Sequence, residues 1–209
     1  MTKIKICGIT NLEDALVAVD AGADALGFNF YEKSPRYISP VAAAEITDEL
    51  GSGVFKVGVF VNASIDDIVK NVEIARLDAI QLHGDESPAF VDVLRKSVDR
   101  ELIKAFRVSD KFDPSDTLDY SVQGILLDGF STGERGGTGE VFDWEIAKAV
   151  RTLLGELWLA GGLTPKNVEE AIRKVTPYAV DVCSGVESAR GVKDPAKVRA
   201  FVRNAKSAL

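Results

Sequence analysis

Cys7 and Asp128 are the two residues of this 209-residue sequence whose types and positions best fit acid–base chemistry. Each ends a short apolar run that is typical of a buried β-strand. A thiol with a lowered pKa can act as a base, and a carboxylic acid can supply a proton to a reacting group. The sequence therefore indicates proton-transfer chemistry, provided that the fold brings the ends of these two runs to one pocket.

Short apolar runs alternate with longer amphipathic stretches along the whole chain. The runs predict strands over residues 3–7, 24–29, 55–61, 78–83, 101–106, 124–128, 157–160 and 179–183. The stretches predict helices over 12–21, 41–50, 65–75, 88–96, 144–154, 165–174 and 195–205, with a single turn over 113–118. Such alternation is typical of parallel βαβ units.

Eight such units in about 200 residues predict an α/β fold of the (βα)₈ TIM-barrel type. The competing fold is an open doubly wound sheet, which usually carries G-x-G-x-x-G after its first strand. The first turn here reads Cys7-Gly8-Ile9-Thr10 and lacks that pattern. Because no linker or break in composition interrupts the chain, we expect one barrel domain over residues 1–209.

The composition restricts the class of partner. A net charge of −7 argues against a nucleic-acid or anionic-membrane surface, although backbone N–H groups can still bind a small anion. The first twenty residues have no continuous apolar core of a signal peptide, and no apolar stretch approaches the roughly 20 residues that span a bilayer. With only two cysteines, the chain fits a reducing compartment, and we expect a cytoplasmic protein.

Side-chain alternation predicts where Cys7 and Asp128 point. Lys5 and Cys7 share one face of the first strand, and the isoleucines on the other face fit a helix-covered surface. Cys7 would then point into the barrel mouth with Lys5 roughly 6–7 Å below it, where an ammonium favours thiolate. Asp128 would reach the rim from the sixth strand, across the pocket. The alternatives are a buried thiol that only packs and a helix-capping carboxylate.

Two glycine-containing loops predict a phosphate site. Gly161-Gly162 follows the seventh predicted strand, and Ser184-Gly185 follows the eighth. In TIM barrels these two loops commonly bind phosphate through backbone N–H groups. The glycine-rich segment 133–139 lacks the G-K-[ST] ending of a P-loop, and we interpret it as a mobile loop near the phosphate.

Two further residues allow more than one interpretation. Arg36 lies in a long loop after the second strand and could bind a planar carboxylate, although a solvated surface arginine is the alternative. His83 is the only histidine, and a lone histidine is more often a hydrogen-bonded structural residue than a base. Without a second histidine a common zinc site cannot form, so we expect no metal.

Taken together, these motifs resemble the phosphoribosylanthranilate isomerase family of tryptophan biosynthesis. The matching segments include Lys5-Ile6-Cys7-Gly8, Ser34-Pro35-Arg36-Tyr37, Gln81-Leu82-His83-Gly84, Leu127-Asp128, Gly136-Gly137-Thr138-Gly139, Ala160-Gly161-Gly162-Leu163 and Ser184-Gly185-Val186-Glu187. The resemblance implies a barrel that performs an Amadori rearrangement without a cofactor. The substrate would be N-(5-phosphoribosyl)anthranilate, and the product 1-(o-carboxyphenylamino)-1-deoxyribulose 5-phosphate.

The resemblance also implies roles for the site residues. Asp128 would protonate the furanose ring oxygen and open the ring to a Schiff base, and Cys7 would remove the proton from C2′. Arg36 would hold the anthranilate carboxylate, and Asp181 would contact sugar hydroxyls or orient its neighbours. The remaining assignments are substrate contacts by Gln81 and His83 and phosphate binding by Gly161, Gly162, Ser184 and Gly185.

The chain departs from the family pattern at Cys183, where the family usually has serine. Strands eight and one are neighbours in a closed barrel, so Cys183 would lie beside Cys7. One hypothesis is that oxidation of the two thiols disables the base, and the alternative is a serine-sized packing substitution. A related ribose-phosphate barrel enzyme and a catalytically inactive barrel are the competing functions, and the sequence allows either a monomer or a homodimer.

Overall fold

Eight parallel strands close into a barrel in chain order in the computed structural model, which describes residues 1–109, 111–129 and 143–208. The strands β1 to β8 are Lys3–Cys7, Ala25–Asn29, Phe55–Phe60, Ala79–Leu82, Glu101–Val108, Gly124–Gly129, Leu157–Leu159 and Ala179–Val182. Each pairs with the next, and β8 returns to β1 with Val182 opposite Ile6. The predicted (βα)₈ barrel is confirmed.

Within the described residues six α-helices connect these strands, and a seventh follows β8. Helices α1 to α7 are Leu12–Ala21, Pro40–Leu50, Ile65–Ile74, Pro88–Ser97, Trp144–Leu153, Val168–Val175 and Pro195–Lys206. Between β5 and β6 the connection is a 3₁₀ helix, Pro114–Asp119, where the sequence predicts only one turn. None of the described helices combines the length and apolarity needed to cross a membrane.

Helix α6 begins three residues later than predicted. The Thr164-Pro165 pair suggested a start at residue 165, but the helix begins at Val168. The Asn167 side chain accepts hydrogen bonds from both the backbone N–H and the hydroxyl of Thr164, at 2.7 and 3.2 Å. These bonds hold the segment in a turn, because a short polar side chain can replace the backbone as a hydrogen-bond partner.

A small hairpin follows β8 and extends the barrel mouth. Its strands are β9, Glu187–Ala189, and β10, Val192–Lys193, and a short 3₁₀ turn, Ser184–Val186, precedes them. The sequence analysis did not predict this hairpin. It brings Glu187 and Lys193 against the end of β8, and both side chains are buried.

The core has two parts, which fix the direction of the strand side chains. The larger part lies between strands and helices and includes Ile4 and Ile6 of β1. The smaller part fills the barrel interior and includes Ala79 of β4 and Ala179 of β8. Because strand side chains alternate, the same inward faces carry Gln81 and Asp181 two residues further on. The interior therefore changes from apolar to polar toward the carboxyl ends of the strands.

Candidate active site

A cavity of about 460 Å³ opens at the carboxyl ends of the barrel strands. All ten residues that the sequence predicts for the site line it: Cys7, Arg36, Gln81, His83, Asp128, Gly161, Gly162, Asp181, Ser184 and Gly185. They come from six different strand ends and loops, so only the closed barrel brings them together. Their common location is a property of the fold, whereas their individual roles are proposals.

Lys5 is fully buried beneath the cavity and bonds two side chains from distant strands. Its Nζ lies 2.8 Å from Asp181 Oδ2 and 2.8 Å from Gln81 Oε1. Burial alone would lower the pKa of Lys5, but the Asp181 carboxylate and the Cys7 thiolate outweigh it and raise the pKa above its ordinary value. Lys5 is therefore an ammonium, and it lies one layer below Cys7 as alternation predicts.

Cys7 and Cys183 form a hydrogen-bonded pair of reduced thiols at the ends of β1 and β8. The hydrogen bond from Cys183 lowers the pKa of Cys7; burial opposes this, and the Lys5 and Lys193 ammoniums reinforce it. The same bond raises the pKa of Cys183, and burial adds to the effect. Cys7 therefore carries the negative charge, and Cys183 keeps its proton.

Cys183 also has two charged neighbours of opposite sign. Its Sγ lies 3.8 Å from Glu187 Oε1 and 3.8 Å from Lys193 Nζ. The Lys193 ammonium lowers the pKa of Cys183, but Cys7 and burial outweigh it and leave that pKa raised. The predicted proximity of the two cysteines is confirmed. Inactivation by oxidation stays a prediction, which the sensitivity of the wild type and Cys183→Ser to mild oxidant would test.

Asp128 lies at the end of β6 with one carboxylate oxygen beside the only histidine of the chain. Asp128 Oδ2 is 3.3 Å from His83 Nε2, and His83 Nδ1 is 2.8 Å from Gln81 Nε2. Neither β4 nor β6 is adjacent to β1, and the carboxylate and the Cys7 thiol therefore reach the cavity from different sides. This is the arrangement that an acid and a base need to act on one bound molecule.

Asp181 is among the residues that line the cavity, and one of its carboxylate oxygens is unpaired within the described residues. Burial raises its pKa to about 7, against the opposing effect of Lys5 and with a further rise from Cys7. Asp181 Oδ2 accepts from Lys5, while Asp181 Oδ1 is buried and bonds none of the described residues. An unpaired buried oxygen is costly, so a donor group of a ligand would be well accommodated here.

Arg36 is held by a carboxylate of the hairpin after β8. Its Nε and Nη2 donate to the two oxygens of Glu187 at 2.7 and 2.8 Å, which raises the pKa of Arg36 further. Lys193 Nζ binds the same carboxylate at 3.1 Å. The interpretation of Arg36 as a solvated surface residue is therefore wrong. The outer edge of the guanidinium, formed by Nη1 and the second hydrogen of Nη2, is not part of this pair.

The loops after β7 and β8 meet at the cavity edge, and glycine makes this possible. Gly161 has φ +77°, and a Cβ at Gly185 would overlap the carbonyl oxygen of Leu163. In the described part of the chain, the backbone N–H groups of Gly161, Gly162, Ser184 and Gly185 donate to no other backbone group. Four backbone donors without a backbone acceptor therefore belong to the two loops at one edge of the cavity, and such groups are the kind that bind anions.

Comparison with known proteins identifies the family. A model of the family described as N-(5'phosphoribosyl)anthranilate (PRA) isomerase matches residues 4–204. The chain belongs to the phosphoribosylanthranilate isomerase family. The N-(5'-phosphoribosyl)anthranilate isomerase of Citrifermentans bemidjiense is 54% identical over 206 residues, which are 99% of this chain and 98% of that one.

Solved structures of isomerases from this family share the fold over the full chain. The enzyme from Thermotoga maritima has a TM-score of 0.92 and 45% identity, covering 99% of this chain and 100% of that one. A second structure holds reduced 1-(o-carboxyphenylamino)-1-deoxyribulose 5-phosphate, with a TM-score of 0.88, 44% identity and the same coverage of both chains. The family resemblance inferred from the sequence motifs is confirmed.

Two buried residues beside the cavity, Glu187 and Lys193, are not predicted from the sequence as site residues. Glu187 was recognised only as part of a motif, and Lys193 was not noticed. Alternating residues on either side of Gly191 are typical of a hairpin and could have indicated this element. The predicted mobile loop over 133–139 lies outside the described residues. Within the described residues, no cluster of three His, Cys, Asp or Glu side chains could hold a metal ion.

Proposed function

We propose that this protein converts N-(5-phosphoribosyl)anthranilate into 1-(o-carboxyphenylamino)-1-deoxyribulose 5-phosphate in tryptophan biosynthesis. The observation that carries the proposal is the placement of Cys7 and Asp128 at one cavity, with the thiol ionised by its surroundings. Membership of the isomerase family supports the same reaction. The bound product analogue in a related structure supports a small phosphorylated ligand for this cavity.

In the proposed first step, Asp128 gives its proton to the ring oxygen of the ribose. The C1′–O bond breaks, the ring opens, and the nitrogen lone pair forms a protonated imine with C1′. Asp128 becomes a carboxylate, and His83 Nε2 at 3.3 Å is positioned to stabilise it. A buried acid next to a neutral hydrogen-bond donor can release its proton without leaving an unpaired charge.

In the second step, the Cys7 thiolate removes the proton from C2′. The electron pair of that C–H bond moves into the imine, which is a strong electron sink, and a neutral enolamine forms. The enolamine then gains a proton at C1′ and loses the hydroxyl proton at C2′, which gives the ketone. Cys7 releases the proton that it took and Asp128 regains the one that it gave, directly or through water, so both residues return to their starting forms. Over the whole sequence the substrate neither gains nor loses protons, and no step needs a cofactor.

The remaining residues are proposed to bind the two ends of the substrate. The outer edge of Arg36 matches the anthranilate carboxylate, since a guanidinium binds a carboxylate through two parallel hydrogen bonds. The four N–H groups of the loops after β7 and β8 match the phosphate. Asp181 Oδ1 is available for a sugar hydroxyl, and Gln81 and His83 lie between the base and the acid.

We also propose that residues 1–209 form one domain that acts in the cytoplasm without nucleic-acid or membrane partners. The net charge of −7 supports the absence of a nucleic-acid partner. The state in solution is proposed to be a monomer or a homodimer. Sedimentation velocity of the full chain distinguishes these two states, and a larger assembly would contradict the proposal.

The reaction is tested by anthranilate fluorescence with freshly made phosphoribosylanthranilate. We expect a fluorescence change that follows enzyme concentration and a product that co-migrates with authentic 1-(o-carboxyphenylamino)-1-deoxyribulose 5-phosphate. Cys7→Ala serves as the inactive control. If the wild-type protein is folded but produces none of this ketone, the proposal is wrong.

A further inference from the structure

A continuous row of polar contacts crosses the barrel from β8 to β6, made of three hydrogen bonds and a close contact between His83 and Asp128 at its end. It starts with Asp181 Oδ2 and Lys5 Nζ at 2.8 Å and continues from Lys5 Nζ to Gln81 Oε1 at 2.8 Å. Gln81 Nε2 lies 2.8 Å from His83 Nδ1, and His83 Nε2 lies 3.3 Å from Asp128 Oδ2. The row therefore joins the surroundings of the proposed base to the proposed acid.

The direction of every bond in this row is determined at Lys5. An ammonium has three donors and no acceptor, so Gln81 must turn its carbonyl oxygen toward Lys5. The amide nitrogen of Gln81 then faces His83 and can only donate. His83 Nδ1 must accept this bond, which leaves the ring hydrogen on Nε2, where it can be donated to Asp128.

The opposite arrangement is disfavoured by the burial of the row. Lys5 and Gln81 are 0% and 1% exposed, so water does not replace a lost partner. A flipped Gln81 amide would place its NH₂ group against the ammonium and its oxygen against the lone pair of Nδ1. A doubly protonated His83 ring would place its Nδ1–H group against the NH₂ group of Gln81, so that two donors would face each other. Both arrangements leave buried polar groups unsatisfied.

We propose that Gln81 is a positioning residue that holds His83 as the Nε2–H tautomer and thereby leaves Asp128 Oδ1 to carry the transferable proton. The inference rests on the proposed function of Asp128 as the general acid. In this arrangement the Nε2–H group of His83 faces Oδ2 of Asp128, so Asp128 presents its other oxygen, Oδ1, to the substrate. When Asp128 gives up its proton, the new carboxylate already has a neutral donor 3.3 Å from Oδ2.

Lys5 consequently serves both halves of the site. Its charge favours the thiolate of Cys7, and its lack of an acceptor orients Gln81. The charged and polar groups around the row are Asp181 on β8, Cys7 on β1, Cys183 after β8 and Asp128 on β6, with Lys193 on β10 near the thiols. Arg107 on β5 approaches His83 only at its backbone carbonyl oxygen, 3.5 Å from Nη2. None of these groups touches His83 Nδ1, which is bonded by Gln81.

Nitrogen NMR of the single histidine tests the tautomer directly in the full-length protein. Because His83 is the only histidine, ¹⁵N-labelled protein gives the ring signals of this residue alone. We expect Nε2 to appear as the protonated nitrogen and Nδ1 as the unprotonated one at neutral pH. An Nδ1–H ring or a doubly protonated ring in the folded wild type would overturn the proposal without any need for substrate.

Gln81→Glu is the informative variant, because it keeps the shape but replaces the NH₂ donor by an acceptor. We expect the His83 ring of this variant to carry a proton on Nδ1. We also expect kcat to fall about tenfold, which is less than the whole rate contribution of a positioned general acid. Gln81→Met removes both groups without adding a charge, and we expect a mixture of tautomers with a similar loss of kcat. In both variants KM should change less than kcat.

The outcomes separate this inference from the proposed function. A His83 signal that is unchanged in both folded variants would overturn the positioning role, even if the enzyme isomerises phosphoribosylanthranilate. Failure of the wild type to form the ketone would instead contradict the proposed function, while the NMR spectrum would still report the tautomer. The alkylation rate of Cys7 in Gln81→Met is the control for the base and should stay close to that of the wild type.

Discussion

Lys5 and Lys104 are both buried in this barrel and each bonds a carboxylate, yet they have different surroundings. Lys5 lies inside the barrel, with Asp181 and Gln81 at 2.8 Å and the Cys7 thiolate nearby. Lys104 projects from β5 on the outside, 3.0 Å from Glu86 and 2.9 Å from the carbonyl oxygen of Gly84. The first lysine faces two anionic groups, and the second faces one carboxylate and several neutral carbonyls.

The pKa values of the two lysines change in opposite directions. Burial lowers the pKa of Lys104 more than Glu86 restores it, whereas Asp181 and Cys7 overcome burial and raise the pKa of Lys5. A buried cation alone therefore does not indicate a functional site. The informative feature is an excess of anions around the cation, because one of them, Cys7, then lines the cavity as a thiolate.

The strongest test of this comparison changes one carboxylate in each region. Asp128→Asn removes the transferable proton, and we expect kcat to fall by about 10³ to 10⁴ with the fold retained. Glu86→Gln leaves Lys104 without its counterion, so we expect near-normal kcat but a free energy of unfolding lower by about 3 kcal/mol. Fluorescence assays and urea unfolding measure the two effects. Equal losses of kcat would contradict the distinction.

Exchanging each lysine for methionine sharpens the comparison further. We expect Lys5→Met to lower kcat/KM at neutral pH by about 10²-fold, because loss of the ammonium raises the pKa of Cys7. Since the base must be unprotonated, the rise of kcat/KM with pH should move to higher pH. Lys104→Met should keep the wild-type pH profile and lose stability instead. A shifted pH profile in Lys104→Met would show that the outer lysine also influences the base.

The Glu187–Arg36 pair provides a smaller effect in the same region as Lys5. Glu187→Gln keeps the shape but loses the charge that holds Arg36, and we expect KM to rise about tenfold, as for a loss of roughly 1.4 kcal/mol of binding. Asp78→Asn is the control. Asp78 pairs with Lys56 at a distance of 3.3 Å, and this pair lies away from the cavity. Steady-state kinetics should show unchanged KM for the control. A dominant effect of Glu187→Gln on kcat would argue against a binding role for Arg36.

The smallest effect is expected at Cys183. Cys183→Ala removes the hydrogen bond that lowers the pKa of Cys7. The pH at which kcat/KM rises should therefore increase by about one pH unit or less. Cys183→Ser restores a donor and should return the profile toward that of the wild type. Absorbance at 240 nm in Cys183→Ala follows ionisation of the only remaining thiol. An unchanged profile in Cys183→Ala would show that the ammoniums of Lys5 and Lys193, without Cys183, determine the ionisation of Cys7.

Strand periodicity explains why much of the site could be predicted from the sequence. The inward direction of Cys7, Lys5 and Asp128 follows from alternation, and the order of the strands follows from repeated βα units. The pairing of Arg36 with Glu187 could not be derived in this way, because the two residues are 151 positions apart and lie in loops without a period. The same is true of the row through Gln81, which depends on the depth of each side chain in the barrel.

The closure of β8 on β1 has a consequence for the biosynthesis of the protein. Cys7 is synthesised long before Asp181, Cys183 and Lys193, which lie near the other end of the barrel sequence. Until these residues arrive and the barrel buries Lys5 beside it, Cys7 lacks the surroundings that ionise it and reacts as an ordinary thiol. In a Cys183→Ala chain, the alkylation rate of the remaining thiol would therefore report the moment at which the barrel closes during translation or refolding.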